Sequence, residues 1–142
     1  MIKVVAALII KENKILIAKR STGDSSVFGK WEFPGGKVEP NENEFQAIER
    51  EIQEEFELQI KAKQFLINNI CEYPNKTVDL RLYHCDYICG DFHLHDHSEY
   101  IWVAQQDLLK YDLAKADIPL AQYVQDNIQL KNKKIRRISK NK

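Results

Sequence analysis

Three glutamates, Glu51, Glu54 and Glu55, stand three and four residues apart in the run GGKVEPNENEFQAIEREIQEEFEL, residues 35–58. On a helix that spacing makes their side chains neighbours, so their charges repel. The apolar period predicts a helix over 43–56, with Phe45, Ile48, Ile52 and Phe56 in an arc of about 80° facing a sheet. The three carboxylates fall beside that arc, half-shielded, rather than opposite it. A solvated acidic face would lie opposite and be interleaved with lysines, yet no lysine occurs between Val38 and Ile60, and Arg50 is the single base there. A divalent cation among the carboxylates removes the repulsion. Hard oxygen ligands on one face suit Mg²⁺, with Mn²⁺ as an alternative, and Mg²⁺ commonly takes substrate phosphates as further ligands. Gly35 and Gly36, lacking side chains, allow a tight turn and bring backbone close to a metal or phosphate.

The elements that must position this helix read as follows. KVVAALII (3–10) predicts a buried strand, KENK a turn and ILIAKR (15–20) the returning strand. A polar loop leads to WEF, a short strand before the non-helical Pro34-Gly35-Gly36. Two long apolar runs around PNK (74–76) predict a hairpin, apolar on both faces and therefore central in its sheet. HLHDHSE reads as a loop and YIWVA as a strand. A last helix is predicted over 118–130, with Pro119 in its first turn and Leu120, Ala121, Val124 and Ile128 on one face. The fold class is α+β: a mixed sheet between two main helices. Trp31 and Trp102 are expected in the core.

With 142 residues, 44% hydrophobic and 30% charged, the chain fits one domain, assigned to residues 1–130. No apolar run approaches the ~20 residues that span a bilayer, and the N-terminus reads as a strand rather than a signal peptide, so a cytoplasmic protein without membrane partners is expected. Cys71, Cys85 and Cys89 form no CxxC pair and read as reduced residues. The neutral net charge hides an asymmetry. Residues 131–142 hold seven of the 21 bases and none of the 21 acids, so the remainder carries about −7. Such a tail can bind nucleic acid, but it reads as a solvated, flexible terminus.

The acidic run carries a further pattern. Gly36 is followed by five residues, Glu42, seven residues, Arg50-Glu51, Ile52, Gln53, Glu54-Glu55, Phe56, Glu57 and Leu58. This resembles the Nudix box, the motif of hydrolases that split a nucleoside diphosphate linked to another group. The one departure is Glu57, where the family has glycine, and that puts the helix C-cap in question. WEFPGGKVE, Arg20 and LAKADIPL are similar to the MutT branch, particularly to its CTP pyrophosphohydrolase and oxidised-nucleotide members. The resemblance implies that Glu51, Glu54, Glu55 and the Gly35 carbonyl bind metal and that Arg50 holds the carboxylates in place. It also implies that a late-loop carboxylate, Asp96 or else Glu99, binds a second metal or takes the proton from water. Arg20 would contact the phosphates or base, Phe33 would line the pocket, and Asp117 would bond the base. From its position alone, Asp117 is also an N-cap for the last helix. His93, His95 and His97 alternate without a matching cysteine set, so they read as surface residues rather than zinc ligands.

The implied reaction is hydrolysis of a nucleoside triphosphate to a monophosphate and pyrophosphate, by a monomer or homodimer. Other readings are a Nudix enzyme for a different nucleoside diphosphate derivative, such as ADP-ribose, or a non-catalytic nucleotide-sensing module. Downstream motifs of the first are not found, and the complete REIQEE argues against the second.

Overall fold

The computed structural model describes residues 1–131 and 134–137. Strand β1 (Ile2–Lys11) turns at Glu12 and Asn13, both at positive φ (51° and 64°), into β2 (Lys14–Arg20). Two consecutive positive-φ residues favour the tight hairpin whose twist matches that of its strands. Only the turn end of this hairpin is paired, Ile10 to Ile15 and Lys11 to Lys14. Beyond it the strands part, and residues 31–37 fill the gap. There β3 (Trp31–Glu32) pairs with β2, and β4 (Gly35–Lys37) pairs with β1. Between them Ala7 N donates to Pro34 O at 2.7 Å. This wedge sets the double glycine in mid-sheet.

Strand β6 (Lys76–Cys89) runs parallel to β1 on its other side, and β5 (Gln59–Tyr73) pairs antiparallel with β6. Strand β7 (His97–Ala104) lies along β2. The expected hairpin therefore forms, but only β6 is central; β5 ends the main strand path. Register shifts at Ala62/Gln64 and Phe65/Ile67 break its alternation, which is why its apolar residues looked two-sided. The strand predicted over YIWVA begins earlier, at His97.

Period-two alternation sorts the core. Val5, Ala7, Ile9, Leu16 and Ala18 meet helix α1 (Glu44–Phe56), while Ala6, Leu8, Ile15 and Ile17 share the opposite core with α2 (Ile118–Asn127). One helix covers each face, as the α+β reading requires. Trp31 and Trp102 are partly buried against the two cores. Cys71 and Cys85 are buried, Cys89 is exposed, and all three are free thiols. No helix among the described residues is long and apolar enough to cross a membrane.

Helix α1 starts at a reciprocal cap: Asn43 Oδ1 accepts from Gln46 N at 2.8 Å, and Gln46 Oε1 accepts from Asn43 N at 2.9 Å. Its buried residues are Ala47, Ile48, Ile52 and Phe56. Phe45, expected with them, is 43% exposed and packs edge-on against Tyr83. It precedes the turn that reaches the sheet. At the other end Glu57 takes the left-handed position itself, φ 58°, and its N–H reaches Gln53 O.

The last helix is shorter than predicted. It ends at Asn127, where Gln105 Nε2 donates to Val124 O at 2.7 Å and Ile128 turns extended. Residues Ile128–Lys131 (β8) then pair with Lys134–Arg137 (β9) in a separate two-stranded sheet. So residues 134–137, read as part of a flexible tail, belong to a hairpin, and the β-branched Ile128 fits that extended state. Residues 132–133 and 138–142 of the predicted tail lie outside the described residues.

Candidate functional site

The acidic helix is organised by one arginine. Arg50 Nε and Nη2 donate to the two oxygens of Glu42 at 3.0 and 2.7 Å, and Nη2 also reaches Lys37 O at 3.0 Å. Its Nη1 lies 3.1 Å from both Glu51 Oε2 and Glu54 Oε1. These bonds, led by that to Glu42, hold the guanidinium charged and pull the Glu42 carboxyl below its usual range. The fork ties the helix to β4 and keeps two of the three carboxylates side by side.

The three carboxylates sit at different depths. The Glu54 side chain is 58% exposed, whereas that of Glu51 is 14% exposed, and burial raises its pKa despite Arg50. Glu51 lies directly under the double glycine. A Cβ on Gly36 would come within 2.1 Å of the Glu51 carboxyl carbon, and a Cβ on Gly35 within 1.9 Å of Val5 O. Glycine is required twice, for the carboxylate at 36 and for the β1 backbone at 35.

Glu55 is the most perturbed of the three. Burial pushes its carboxyl up to about 7, helped by a hydrogen bond and negative charge from Asp96 and by the charge of Glu51. Its Oε1 is buried without a partner. Asp96 therefore lies beside a carboxylate of the helix, whereas Glu99 pairs with Lys19, 3.6 Å distant. No base follows in the last turn of α1, where positive charge would suit the helix dipole.

A cleft of ≈ 350 Å³ opens beside the double glycine, lined by Gly35, Gly36, Arg20, Glu32, Phe33 and Asp117 among others. Asp117 is buried. Its side chain does not cap α2; Oδ2 instead accepts from Phe33 N at 2.9 Å. The N-cap expectation therefore fails, because the carboxylate turns inward to an amide of the wedge. Burial, then the charge of Glu32, push its pKa well above the usual range. Arg20 pairs with Glu32 at 3.1 Å.

The histidines do not act as a set. His95 meets Glu57 at 2.9 Å and His93 is exposed, but His97 is buried, stacked on Phe56 and 2.8 Å from Glu32. The surface reading is wrong for His97 because it opens β7, facing the core. Sequence reasoning placed Glu42 in the acidic pattern without giving it a role, and passed over Glu32 and, at the cleft wall, Tyr73 and Lys76. Glu42 was legible as the acid eight residues before Arg50. Glu32 and His97 carried no comparable signal.

Among the described residues no three His, Cys, Asp or Glu side chains already converge as a metal cage. The donor set nevertheless fits a hard divalent ion. It is all oxygen, one oxygen of Glu55 is orphaned, Asp96 lies beside the Glu55 carboxyl, and the Glu51 carboxylate is held where Gly36 has no side chain.

Residues 4–123 match the family described as NUDIX domain. The chain belongs to the Nudix family. It is 38% identical over 120 residues to the CTP pyrophosphohydrolase of Escherichia coli, covering 84% of this chain and 88% of that one. It is 33% identical over 116 residues to a putative 8-oxo-dGTP diphosphatase 2 of Mycobacterium tuberculosis, covering 80% and 81%. Among solved structures, the MutT protein of Methanosarcina mazei superposes with TM-score 0.77 at 28% identity, covering 88% and 91%. The MutT protein of methicillin-resistant Staphylococcus aureus, named there as a Nudix hydrolase, gives 0.71 at 36%, covering 88% and 95%. Nudix hydrolases generally use a divalent metal.

Proposed function

We propose that this Nudix protein is a cytoplasmic, Mg²⁺-dependent nucleoside triphosphate pyrophosphohydrolase of the nucleotide pool, acting on CTP-type or oxidised nucleotides and releasing a monophosphate and pyrophosphate. The observation that carries it is Glu55, with one buried oxygen unpartnered and Asp96 beside its carboxyl, one turn from Glu51 beneath Gly36 at the rim of the cleft. The relatives named for CTP and 8-oxo-dGTP support the substrate class.

In this reading Glu51, Glu54, Glu55, Asp96 and the Gly35 carbonyl hold Mg²⁺, or Mn²⁺ in its place. A bound ion supplies charge neutralisation on the phosphates and acidifies water. Arg50 orients Glu51 and Glu54. Phe33 and Asp117 hold the base in the cleft, and Arg20 meets the phosphates. Water oxygen bonds to the β-phosphorus while its bond to the α–β bridging oxygen breaks. The monophosphate keeps the bridging oxygen, pyrophosphate carries the water oxygen, and the proton passes to Asp96. The free thiols accord with a reducing compartment.

The test is pyrophosphate release from a panel of natural and oxidised (d)NTPs with Mg²⁺. Glu51→Gln should lower turnover by about 10³-fold or more while the fold survives. Near-normal turnover in that variant would remove the acidic helix from catalysis.

A further inference from the structure

Among the described residues, three buried side-chain nitrogen or oxygen atoms lack a partner: Arg20 Nε, Glu55 Oε1 and His97 Nδ1. Buried polar groups are nearly always satisfied, so each of these asks for an explanation. The proposed ion accounts for Glu55. The other two flank a single atom, Glu32 Oε2, which accepts from Arg20 Nη1 at 3.1 Å and from His97 Nε2 at 2.8 Å.

The arrangement is built from several directions. His97 opposes Arg20 across β2 and β7 where the register shifts between Lys19 and Arg20, the kind of irregularity that re-aims a side chain. The His97 ring stacks on Phe56, centroids 4.9 Å apart and planes at 26°, so the last turn of α1 sets its orientation. Next to it, Ser21 N donates to Asp96 O at 2.9 Å. With Nε2 engaged on Glu32, Nδ1 is left buried and without a partner. Glu55 and Asp117 also attract the Arg20 guanidinium, from the acidic helix and from the cleft.

We propose that His97 and Glu32 form a positioning strut that holds Arg20 at the junction of the acidic helix and the cleft, where it receives a phosphate of the substrate. A guanidinium fork suits phosphate oxygens, and a buried, unpartnered Nε at the cleft supplies the donor. An exposed salt bridge would leave Nε hydrated and would need no stacked histidine behind it. This inference rests on the triphosphatase reading. Glu32 and His97 act through Arg20 and are positioning residues.

The experiment has two arms. First, the unmodified protein is assayed on the (d)NTP panel, and absence of turnover on every triphosphate overturns the hydrolase reading. Given turnover, Glu32→Gln and His97→Ala should each raise KM about tenfold and leave kcat within about threefold. His97→Gln, which keeps an N–H donor near the Nε2 position, should recover most of the loss. Unchanged KM in both variants overturns the strut, and so does a His97→Gln variant no better than His97→Ala. The second arm needs no turnover: the Arg20 Nε–H resonance is followed by NMR during titration with inorganic tripolyphosphate. A shift that His97→Ala weakens sustains the strut, and no shift in the unmodified protein overturns it. Melting curves of each variant accompany both arms, and Glu32→Gln, isosteric with the native residue, carries the test if His97→Ala fails to fold.

Discussion

Adding one methyl group at Gly36 should separate activity from stability. The new Cβ would lie 2.1 Å from Glu51 Cδ and 2.3 and 2.5 Å from its oxygens, whereas ordinary contact begins at 3.4 Å, so the carboxyl must retreat by about 1.3 Å. Strand β4 cannot yield in its place, because Gly36 is paired with Val5 on β1 and Ala7 is bonded to Pro34 beside it. The side chain therefore moves, at an off-rotamer cost of about 1 kcal/mol, and its 3.1 Å bond to Arg50 is lost. A displacement of ~1 Å in a group that positions reactants costs about 100-fold in rate. We expect Gly36→Ala to lower kcat/KM for its triphosphate about 100-fold while the melting temperature falls by only ~2–4 °C. Gly35→Ala supplies the contrast, since its Cβ would meet Val5 O at 1.9 Å and must distort the sheet itself. Stability should be lost there first. Pyrophosphate release with Mg²⁺ and thermal melts by circular dichroism give both readings. A folded Gly36→Ala variant with kcat/KM within threefold of the unmodified protein would refute the placement of Glu51.

Two further outcomes follow from the ends of α1. Glu44 accepts from Arg81 Nε at 2.7 Å, from Tyr83 Oη and from Lys3. Burial alone would raise its pKa, but the bonds from Tyr83, Arg81 and Lys3 outweigh it and hold the carboxyl below 4.5. Glu44→Ala should cost about 2–3 kcal/mol in urea melts at neutral pH. Because the folded pKa is depressed, that stabilisation is complete above 4.5 and fades as pH falls through the lower folded value, so the gap between variant and native should narrow as pH is taken below 4.5. A gap that is constant with pH would contradict this. At the other end Glu57 holds a left-handed φ of 58°, a position where glycine is ordinarily unstrained. Its exposed contact with His95 is worth little, so Glu57→Gly should raise stability by about 0.5–1 kcal/mol. A lower melting temperature would show that the contact matters more than the backbone.

The acidic helix was legible because its apolar period and its carboxylates share one short segment, and local spacing alone places Ile48, Ile52 and Phe56 against the sheet. Gly35 and Gly36 were legible for the same reason. Asp117 was misjudged as a cap because its partner, Phe33 N, lies 84 residues away, beyond any local signal. His97 and Glu32 are 65 residues apart and meet only because β2 lies between β3 and β7. The end of α2 was overrun because Leu130 and Ile128 fit a helical period as well as a strand, and a side chain from elsewhere, Gln105, decides the matter.

The central claim is that Glu51, Glu55 and Asp96 stand together to hold a divalent ion. Anomalous diffraction from crystals grown with Mn²⁺ tests it most directly. We expect a peak among Glu51, Glu55, Asp96 and the Gly35 carbonyl, with metal–oxygen distances of about 2.1–2.3 Å. A liganded crystal with no peak there, and with Arg50 still alone on Glu51, would contradict it.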